Sequence, residues 1–350
     1  MKLQNLNIGE WSECYVFLKL LADPLLPTCD ENLTPLDHSY ETVREIIITD
    51  TSGTKLPFRP LSKYICAPNS DNKQEITAAE IKRELPSIIN ELSSKHNSKG
   101  AFPIPRIQRL YGLLGIPNMS RNSRSKIDIE LVLASSGAPK PPEGYSIKSQ
   151  LGRPAHLLNA SQSTNLGFRI SGPVEKVLNQ LNAKSVRYQT LLEALVEDFG
   201  EIKFEKIHSE TFYENLRDCD EGFPSFFASL VLAKYMSKSK VPISDLVHKT
   251  STSRELSRRE MQMKRLLRSA ALGMVPSKRW DGKLQGYGGY LIVTKQGEIL
   301  RLPMENLDSF ESYLFKNTYF DTPAKKKWIK PDASGSATII YLNASIRFLK

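Results

Sequence analysis

The sequence predicts a mixed α/β fold of the α+β kind, in which a mixed sheet flanked by helices is followed by a mostly helical C-terminal region that ends in a small β element. Three observations predict it. A capped helical pattern opens the chain, alternating polar and apolar residues mark strands in its middle, and helical apolar spacing dominates after residue 175. The 350 residues exceed what one hydrophobic core usually serves, so we expect two domains.

The first predicted helix follows Asn7, where Asn-Ile-Gly-Glu has the spacing of a capping box between Asn7 and Glu10. Apolar residues then recur at helical spacing up to residue 23. Because the box uses Glu10, Glu13 is the acid of this helix that stays available for chemistry one turn later. The next segment, residues 24–42, is expected to be irregular.

Residues 44–49 and then 53–64 are predicted to be extended, with a turn between them. A second capping box opens a further helix at Thr77, and this helix carries apolar residues at helical spacing. We interpret residues 50–105 as an insertion in the first domain, ahead of the central strands.

Two short strands in the middle of the chain carry the residues of greatest chemical interest. In KIDIELVL, residues 126–133, the alternation of apolar and polar residues is typical of a half-buried strand and puts Asp128 and Glu130 on one face. A turn rich in proline and glycine follows, and GYSIKSQ, residues 144–150, resumes an extended pattern. If the two strands pair, Lys148 lies close to the carboxylates.

Two carboxylates and a lysine are the smallest set that can hold Mg²⁺ beside a phosphodiester and assist the attack of water on it. The same residues also suit the solvent face of an ordinary hairpin with cross-strand ion pairs, and taken alone they favour that interpretation. Their neighbours favour a polyanionic substrate. Basic residues that include Arg124 precede the acidic strand, and a polar run with Arg153 and Asn159 follows the lysine strand.

Beyond the central strands, the sequence predicts a short helix over residues 154–161 and a strand over residues 165–171. The composition shifts near residue 172, so the predicted domains are 1–172 and 173–350. Four segments of the second domain have helical apolar spacing, namely residues 175–182, 188–199, 210–219 and 223–236.

Residues 251–274 form a strongly basic predicted helix with an apolar face. Its arginines either contact DNA or form the solvated side of a packed helix, and the pattern favours neither interpretation over the other. A hairpin with its turn at Gln296-Gly297 and a final strand over residues 337–349 close the chain.

The composition limits the class of protein. Lysine and arginine (48) outnumber aspartate and glutamate (38), and the resulting net charge of +10 favours nucleic acid or another polyanion as the partner. No stretch approaches the ~20 apolar residues of a membrane span and the start lacks the apolar core of a signal peptide, so we expect a cytoplasmic protein. The four cysteines and five histidines lack zinc-ligand spacing.

Together these motifs resemble the HpaII-type family of type II restriction endonucleases, within the broader group of PD-(D/E)XK nucleases. The resemblance rests on GEWSECYVFLKLL at 9–21, KIDIELVL at 126–133 and GYSIKSQLGRPAHLLNASQSTN at 144–165, in that order, with WDGK at 280–283 as a weaker echo. It implies a nuclease core with the metal at the splayed edge of a mixed sheet.

The resemblance also implies an activity. Enzymes of this kind cleave double-stranded DNA with Mg²⁺ at a short palindromic site and leave 5′-phosphate and 3′-hydroxyl ends, and the resemblance suggests CCGG as the site. They belong to bacterial restriction-modification systems, and a palindromic site is compatible with a homodimer.

Roles for individual residues follow from the same resemblance. Asp128 matches the metal-binding aspartate of the motif, and Lys148 matches the lysine that orients or helps to deprotonate the attacking water. Glu13 matches the acid of the first core helix. Gln150 falls where related nucleases often place a polar active-site residue.

One position departs from the general motif, which has Asp or Glu two residues before the lysine, where this chain has Ser146. The second carboxylate ligand is then expected from Glu13 or Glu130, or the metal is held with more water. The departure keeps open a second function, that of a sequence-specific DNA-binding protein with a degenerate nuclease fold. A structure-selective DNA repair nuclease is a third.

Base reading is assigned to arginine and amide side chains, because Arg pairs well with guanine and Asn or Gln with adenine in the major groove. The polar run 159–165 and the basic segment 254–279 are the expected sources. The residues predicted to contact DNA are Arg124, Arg153, Asn159, Arg254, Arg258, Arg265 and Arg268.

Overall fold

The computed structural model describes residues 5–61, 76–98, 100–116, 126–135, 138–171, 188–237, 239–322, 328–331 and 337–349. In these ranges the helices are, in chain order, α1 (Ile8–Ala22), α2 (Ala78–Ser94), α3 (Pro105–Leu113), α4 (Tyr188–Phe199), α5 (Glu210–Arg217), α6 (Phe223–Tyr235), α7 (Ile243–Thr250), α8 (Leu256–Ala271) and α9 (Leu307–Lys316). None of them combines the length and apolar character that a membrane crossing needs.

The strands of the same ranges are β1 (Leu25–Cys29), β2 (Pro35–Thr49), β3 (Lys55–Phe58), β4 (Ile129–Ser135), β5 (Ala138–Pro139), β6 (Glu143–Ser149), β7 (His156–Leu158), β8 (Asn165–Ser171), β9 (Ile202–Ile207), β10 (Gly289–Val293), β11 (Ile299–Leu302), β12 (Thr318–Asp321), β13 (Trp328–Pro331), β14 (Ala337–Asn343) and β15 (Ser345–Phe348).

The chain divides into two compact units. The first contains residues 1–155 and 284–313, and the second contains residues 156–283 and 314–349. The sequence placed one boundary near residue 172, whereas the first unit draws in a second segment from far along the chain. It does so because β10 and β11 are part of its sheet.

The first unit is built on an eight-stranded mixed sheet with the strand order β3-β2-β1-β11-β10-β6-β4-β5. The β1–β11 and β6–β10 pairs are parallel. Because β2 also pairs with β4, six strands are hydrogen-bonded into a closed ring. The mixed sheet with flanking helices that the sequence predicted is therefore present.

The two central strands of the sequence prediction are β4 and β6. They pair antiparallel with Ile129 opposite Tyr145, which confirms the predicted pairing. On its other side, β6 pairs in parallel with β10, and Tyr290 lies opposite Ser146. The lysine strand is thus enclosed between the strand that follows the aspartate and a strand from a distant part of the chain.

The β10–β11 hairpin was predicted, but its place in the fold was not. The sequence assigned it to a small β element of the C-terminal region, whereas in the structure it lies in the middle of the first unit's sheet, between β1 and β6. Every residue of both strands is buried. Continuous apolar runs of this kind are typical of strands covered on both faces, and this burial is the reason that the hairpin belongs to the large sheet.

Helix α1 anchors the core of the first unit. Asn7 and Glu10 form the predicted capping box, with the Glu10 carboxylate accepting from the Asn7 N–H at 2.7 Å. Within the helix, the Phe17 ring packs edge-on against Phe58 and Tyr111, with centroid distances of 5.0 and 5.6 Å. Burial of one such ring contributes about 2 kcal/mol, so the position of α1 in this unit is firmly held.

The second unit combines α4 to α8 with a three-stranded sheet, β12-β15-β7, and a four-stranded sheet, β13-β14-β8-β9. The helices predicted at 188–199, 210–219 and 223–236 and the basic helix are present as α4, α5, α6 and α8. The helix predicted at 175–182 lies outside the described residues.

Two local predictions were wrong. Residues 24–42 form β1 and much of β2 rather than an irregular segment, because pairing with neighbouring strands outweighs the turn-forming residues there. Residues 154–161 contain β7 rather than a short helix, because a strand close to the C-terminus, β15, pairs with it. Neither partner strand can be identified from the local pattern.

Candidate active site

Helix α1 and strand β6 meet where the predicted acid and lysine lie. The hydroxyls of Ser12 on α1 and Ser149 on β6 are hydrogen-bonded at 2.8 Å. Glu13 follows Ser12 and is only partly buried, although Ser12 and Cys14 on either side of it are fully buried. The packing of α1 therefore brings the Glu13 carboxylate to the strand that carries Lys148.

Asp128 immediately precedes β4 and is held by three hydrogen bonds to β6. Its backbone N–H donates to the Tyr145 carbonyl at 2.9 Å. Its carboxylate oxygen Oδ2 accepts from the Ile147 N–H at 2.7 Å and from the Ser146 hydroxyl at 3.2 Å. The antiparallel pairing thus fixes the predicted metal-binding carboxylate against the lysine strand.

Lys148 is positioned from two directions. Its Nζ donates to Ser146 Oγ at 2.7 Å and lies 5.0 Å from the ring centroid of Tyr290 on β10. An aromatic ring face attracts an ammonium group through its quadrupole. Tyr290 is buried and packs edge-on against Phe310, with centroids 5.0 Å apart. Sequence reasoning missed Tyr290, because no local signal says that GYLIV pairs with GYSIKS.

Ser146 occupies the position where the general motif has an acid. It is 4% exposed, accepts from Lys148 Nζ and donates to Asp128 Oδ2. The serine hydroxyl therefore links the ammonium to the carboxylate in one hydrogen-bonded chain. In this structure the missing acid is replaced by a neutral bridge rather than by another carboxylate at the same place.

The charges of the site influence one another. Burial and the nearby Asp128 carboxylate raise the pKa of Glu13 to about 8. Burial lowers the pKa of Lys148, while the carboxylates of Asp128 and Glu13 oppose that change. Burial and the Lys148 charge lower the pKa of Lys126, a second lysine near Asp128 that sequence reasoning did not include in the site. Two carboxylates and two ammonium groups thus share this region.

The donor set fits a divalent metal held by two carboxylates. Within the described ranges, no group of three or more His, Cys, Asp or Glu side chains is arranged to hold a metal ion. Burial and repulsion by the Asp128 carboxylate nevertheless raise the pKa of Glu13, and a divalent cation would relieve the repulsion. Mg²⁺ accepts such a set, because it prefers carboxylate oxygens and usually keeps several waters.

Glu130 has another partner, and Gln150 is held through its backbone. The Glu130 carboxylate is paired with Lys55 on β3, with 2.7 Å between Nζ and Oε2, and so is engaged away from the Ser146 bridge. Gln150 follows β6, and its backbone N–H donates to the Val293 carbonyl at 2.9 Å. Of the two candidates for the second carboxylate ligand, the geometry favours Glu13.

The residues predicted to contact DNA have varied surroundings. Arg153, Asn159 and Arg254 are exposed, whereas Arg268 is partly buried, and Arg124 lies outside the described residues. Arg258 is exposed but donates to Asp220 at 2.7 Å. Arg265 is exposed and donates to the Cys219 carbonyl at 3.2 Å. The turn before α6 thus orients Arg258 and Arg265, the two exposed arginines of α8, and Arg254 is exposed just before that helix.

If this cluster cleaves phosphodiesters as the sequence predicts, replacement of Ser146 by alanine is expected to slow that cleavage by about 10- to 100-fold. Lys148 would lose the acceptor that holds its ammonium, and a misplaced reacting group costs about this much. Ser146→Thr keeps the hydroxyl on a strand that tolerates β-branched residues, so it is expected to retain most of the rate. Single-turnover cleavage at saturating Mg²⁺ measures both. Equal rates for Ser146→Ala and the unaltered protein would contradict the bridge.

Comparisons with known proteins agree on one family. The family model of the HpaII restriction endonuclease matches residues 7–348. The chain is 33% identical over 338 residues to the type II restriction enzyme HpaII of Haemophilus parainfluenzae, and this match covers 92% of the chain and 91% of that enzyme. No solved structure was found that matches the chain.

Proposed function

We propose that this chain, which belongs to the HpaII restriction endonuclease family and is therefore a type II site-specific deoxyribonuclease, cleaves DNA at the cluster formed by Glu13, Asp128 and Lys148. The observation that carries this assignment is the hydrogen-bonded chain from Lys148 through Ser146 to Asp128, with Glu13 alongside. The PD-(D/E)XK arrangement requires carboxylates gathered beside a lysine that a strand carries, and we assign the first unit to that fold.

Type II restriction endonucleases generally use divalent metal ions, and we infer Mg²⁺ for this chain. When bound by Glu13 and Asp128, the ion would neutralise charge on the scissile phosphate. Lys148 then orients the attacking water, since its ammonium is held by the Ser146 hydroxyl and the Tyr290 ring. Its lowered pKa also makes the loss of its proton easier. In-line attack by water leaves a 5′-phosphate and a 3′-hydroxyl.

The substrate is DNA, and we propose a short palindromic duplex site, with CCGG as the specific candidate. The predicted contacts are the exposed arginines Arg254, Arg258 and Arg265 of the α8 region, with Arg153 and Asn159 as further candidates. A palindrome is symmetric, so two copies of the chain would each cut one strand. A restriction enzyme meets incoming DNA in the cytoplasm of the bacterial cell, and we place this chain there.

Digestion of a plasmid and of phage DNA, with and without Mg²⁺, tests the proposal. The expected result is a set of discrete fragments only with the metal, and sequencing of the fragment ends gives the site and the cut position. Retention of a specific duplex without cleavage in Mg²⁺, Mn²⁺ or Co²⁺ would instead indicate a degenerate nuclease that only binds DNA. The motivation for that second candidate is that Ser146 stands where the general motif has an acid. Cutting that follows flaps or junctions would indicate a repair nuclease.

Metal binding is expected to release protons. Because the pKa of Glu13 is about 8 without metal, this carboxyl is mostly protonated at pH 7 and must lose its proton to bind a cation. Affinity for Mg²⁺ should therefore rise with pH up to about 8 and fall about tenfold for each pH unit below it. Calorimetry at pH 7 in buffers of different ionisation enthalpy should give about one proton released per ion.

The matched control is Glu13→Gln, which keeps the shape of the side chain but cannot titrate. It should bind Mg²⁺ more weakly and release almost no protons. Unchanged proton release in this variant would show that the titrating ligand is another group.

A further inference from the structure

One buried side chain of α5 forms hydrogen bonds to the segment that follows α8. Asn215, 2% exposed, donates through Nδ2 to the Lys278 carbonyl at 2.9 Å. Its Oδ1 accepts from the Trp280 N–H and from Arg279 Nη1, each at 3.0 Å. A buried amide that satisfies donors and acceptors of a loop in this way holds the loop backbone in one conformation. The Cα of Arg279 is therefore fixed.

The guanidinium of Arg279 is fixed as well. Nη1 and Nη2 both donate to the Asp218 carboxylate, with 2.9 Å between Nη2 and Oδ1, and Nη1 also donates to Asn215. The Asp218 carboxylate thus takes one hydrogen of Nη1 and one of Nη2, and Asn215 takes the second hydrogen of Nη1. Within the described residues no acceptor faces Nε or the remaining hydrogen of Nη2, and the side chain is 51% exposed. A fork of two parallel N–H donors thus faces solvent.

Such a fork matches a pair of acceptors on DNA. The candidates are O6 and N7 of a guanine, and two oxygens of a backbone phosphate. A phosphate contact needs charge but little orientation, so a flexible side chain serves it. A base contact needs the donors in one plane at one place, and each good bidentate pair discriminates against the wrong base. The double restraint by Asp218 and Asn215 favours the base.

We propose that Arg279 is a base-reading residue that recognises one guanine of the target duplex through its Nε–Nη2 edge. The assignment rests on the proposed function, because it takes a DNA duplex as the ligand. Arg279 closes the basic segment 254–279 but is not among the individual residues predicted to contact DNA. The proposal singles it out by its open donor edge and gives Asp218 and Asn215 the role of positioning residues.

Arg169 in the same unit provides a matched contrast. It also pairs with a carboxylate, that of Glu205, but it does so through Nε and Nη2, with 2.7 Å between Nη2 and Oε1. The edge that is open on Arg279 is therefore occupied on Arg169. Variants at the two positions remove the same charge from similar ion pairs, and only one of them removes an open fork.

The test measures binding to a duplex that the unaltered protein selects from a random-sequence pool in Ca²⁺, so that it does not depend on cleavage. Arg279→Ala and Arg279→Lys are both expected to weaken binding to the selected duplex by about 10- to 100-fold. They should change binding to an unrelated duplex much less. Arg169→Ala should leave the ratio of the two affinities unchanged.

A second arm identifies the base. Each guanine of the selected duplex is replaced in turn by 7-deazaguanine, which lacks the N7 acceptor. One replacement is expected to weaken binding by the unaltered protein about tenfold and to have no further effect on Arg279→Ala.

Three results would overturn the proposal. The first is selection of no sequence, and the second is equal sensitivity of the variant to every 7-deazaguanine. The third is the pattern of a phosphate contact. In that case Arg279→Lys would keep the affinity, and Arg279→Ala would weaken binding to both duplexes equally. The slope of log affinity against log salt concentration would also fall by about one for Arg279→Ala. Failure to cut DNA in Mg²⁺ would overturn the nuclease function and leave this test intact.

Discussion

Lys148→Ala is expected to reduce the rate of DNA cleavage by about a thousandfold or more while the protein still binds its duplex in Ca²⁺. Lys148 contacts both the Ser146 hydroxyl and the Tyr290 ring. Removal of a positioned proton-transfer group costs about 10²- to 10⁴-fold. Asp128→Asn keeps the size of the side chain but removes the charge that we propose binds the metal, so a loss of similar size is expected. Single-turnover cleavage of a labelled duplex measures both rates.

The matched control is Lys55→Ala, which removes another lysine of the first unit. Lys55 is mostly exposed, and its partner is Glu130 rather than the Ser146 bridge. An exposed pair of this kind stabilises a protein by less than about 1 kcal/mol, so cleavage should be nearly unchanged. If Lys148→Ala cut as fast as Lys55→Ala, Lys148 would have no part in the chemistry.

Gly289→Ala is expected to destabilise the first unit by about 3 kcal/mol or more. Gly289 begins β10 with a φ of +95°, which costs a residue with a Cβ about 1–2 kcal/mol. An added Cβ would also lie 2.3 Å from the Leu302 carbonyl oxygen and 2.8 Å from the Met304 nitrogen, and these backbone atoms cannot move aside cheaply. Overpacking of this kind costs about 1–3 kcal/mol more. Urea-induced unfolding measures the change in free energy.

Gly53→Ala separates the two contributions. Gly53 has a φ of +86°, but an added Cβ there would have no atom within 4 Å. It should cost only about 1 kcal/mol, for the backbone conformation alone. Equal midpoints for the two variants would contradict the close approach of β10 to the chain after β11. Because β10 carries Tyr290, Gly289→Ala should also impair cleavage.

Much of the local structure around the site could be predicted from the sequence. The capping box at Asn7 and Glu10, the strands at Ile129 and Lys148 and their pairing all follow from short patterns that the structure reproduces. These predictions succeeded because they depend on residues a few positions apart. The reasoning that set Glu10 aside in favour of Glu13 used the same local chemistry.

The failures share a different cause. The segments predicted as an irregular stretch and a short helix became β1 and β7, whose partner strands include β11 and β15 from distant parts of the chain. Strand propensity depends on the neighbouring strands, so a prediction made without those neighbours assigns the same residues to a loop or a helix. The alternation that put Glu130 beside Asp128 likewise did not reveal Lys55, which comes from another strand and holds the Glu130 carboxylate.

The sequence by itself determined the family, the helix that carries Glu13, and the strand pair that brings Asp128 and Lys148 together, because caps and period-2 patterns are local. Only the tertiary structure decided how the missing acid is replaced. It bridges Lys148 to Asp128 through the Ser146 hydroxyl and brings Tyr290 from β10 against the ammonium. These contacts depend on which of several buried apolar strands pairs with β6. Distant segments compete for that position, and a local sequence pattern does not predict which one pairs.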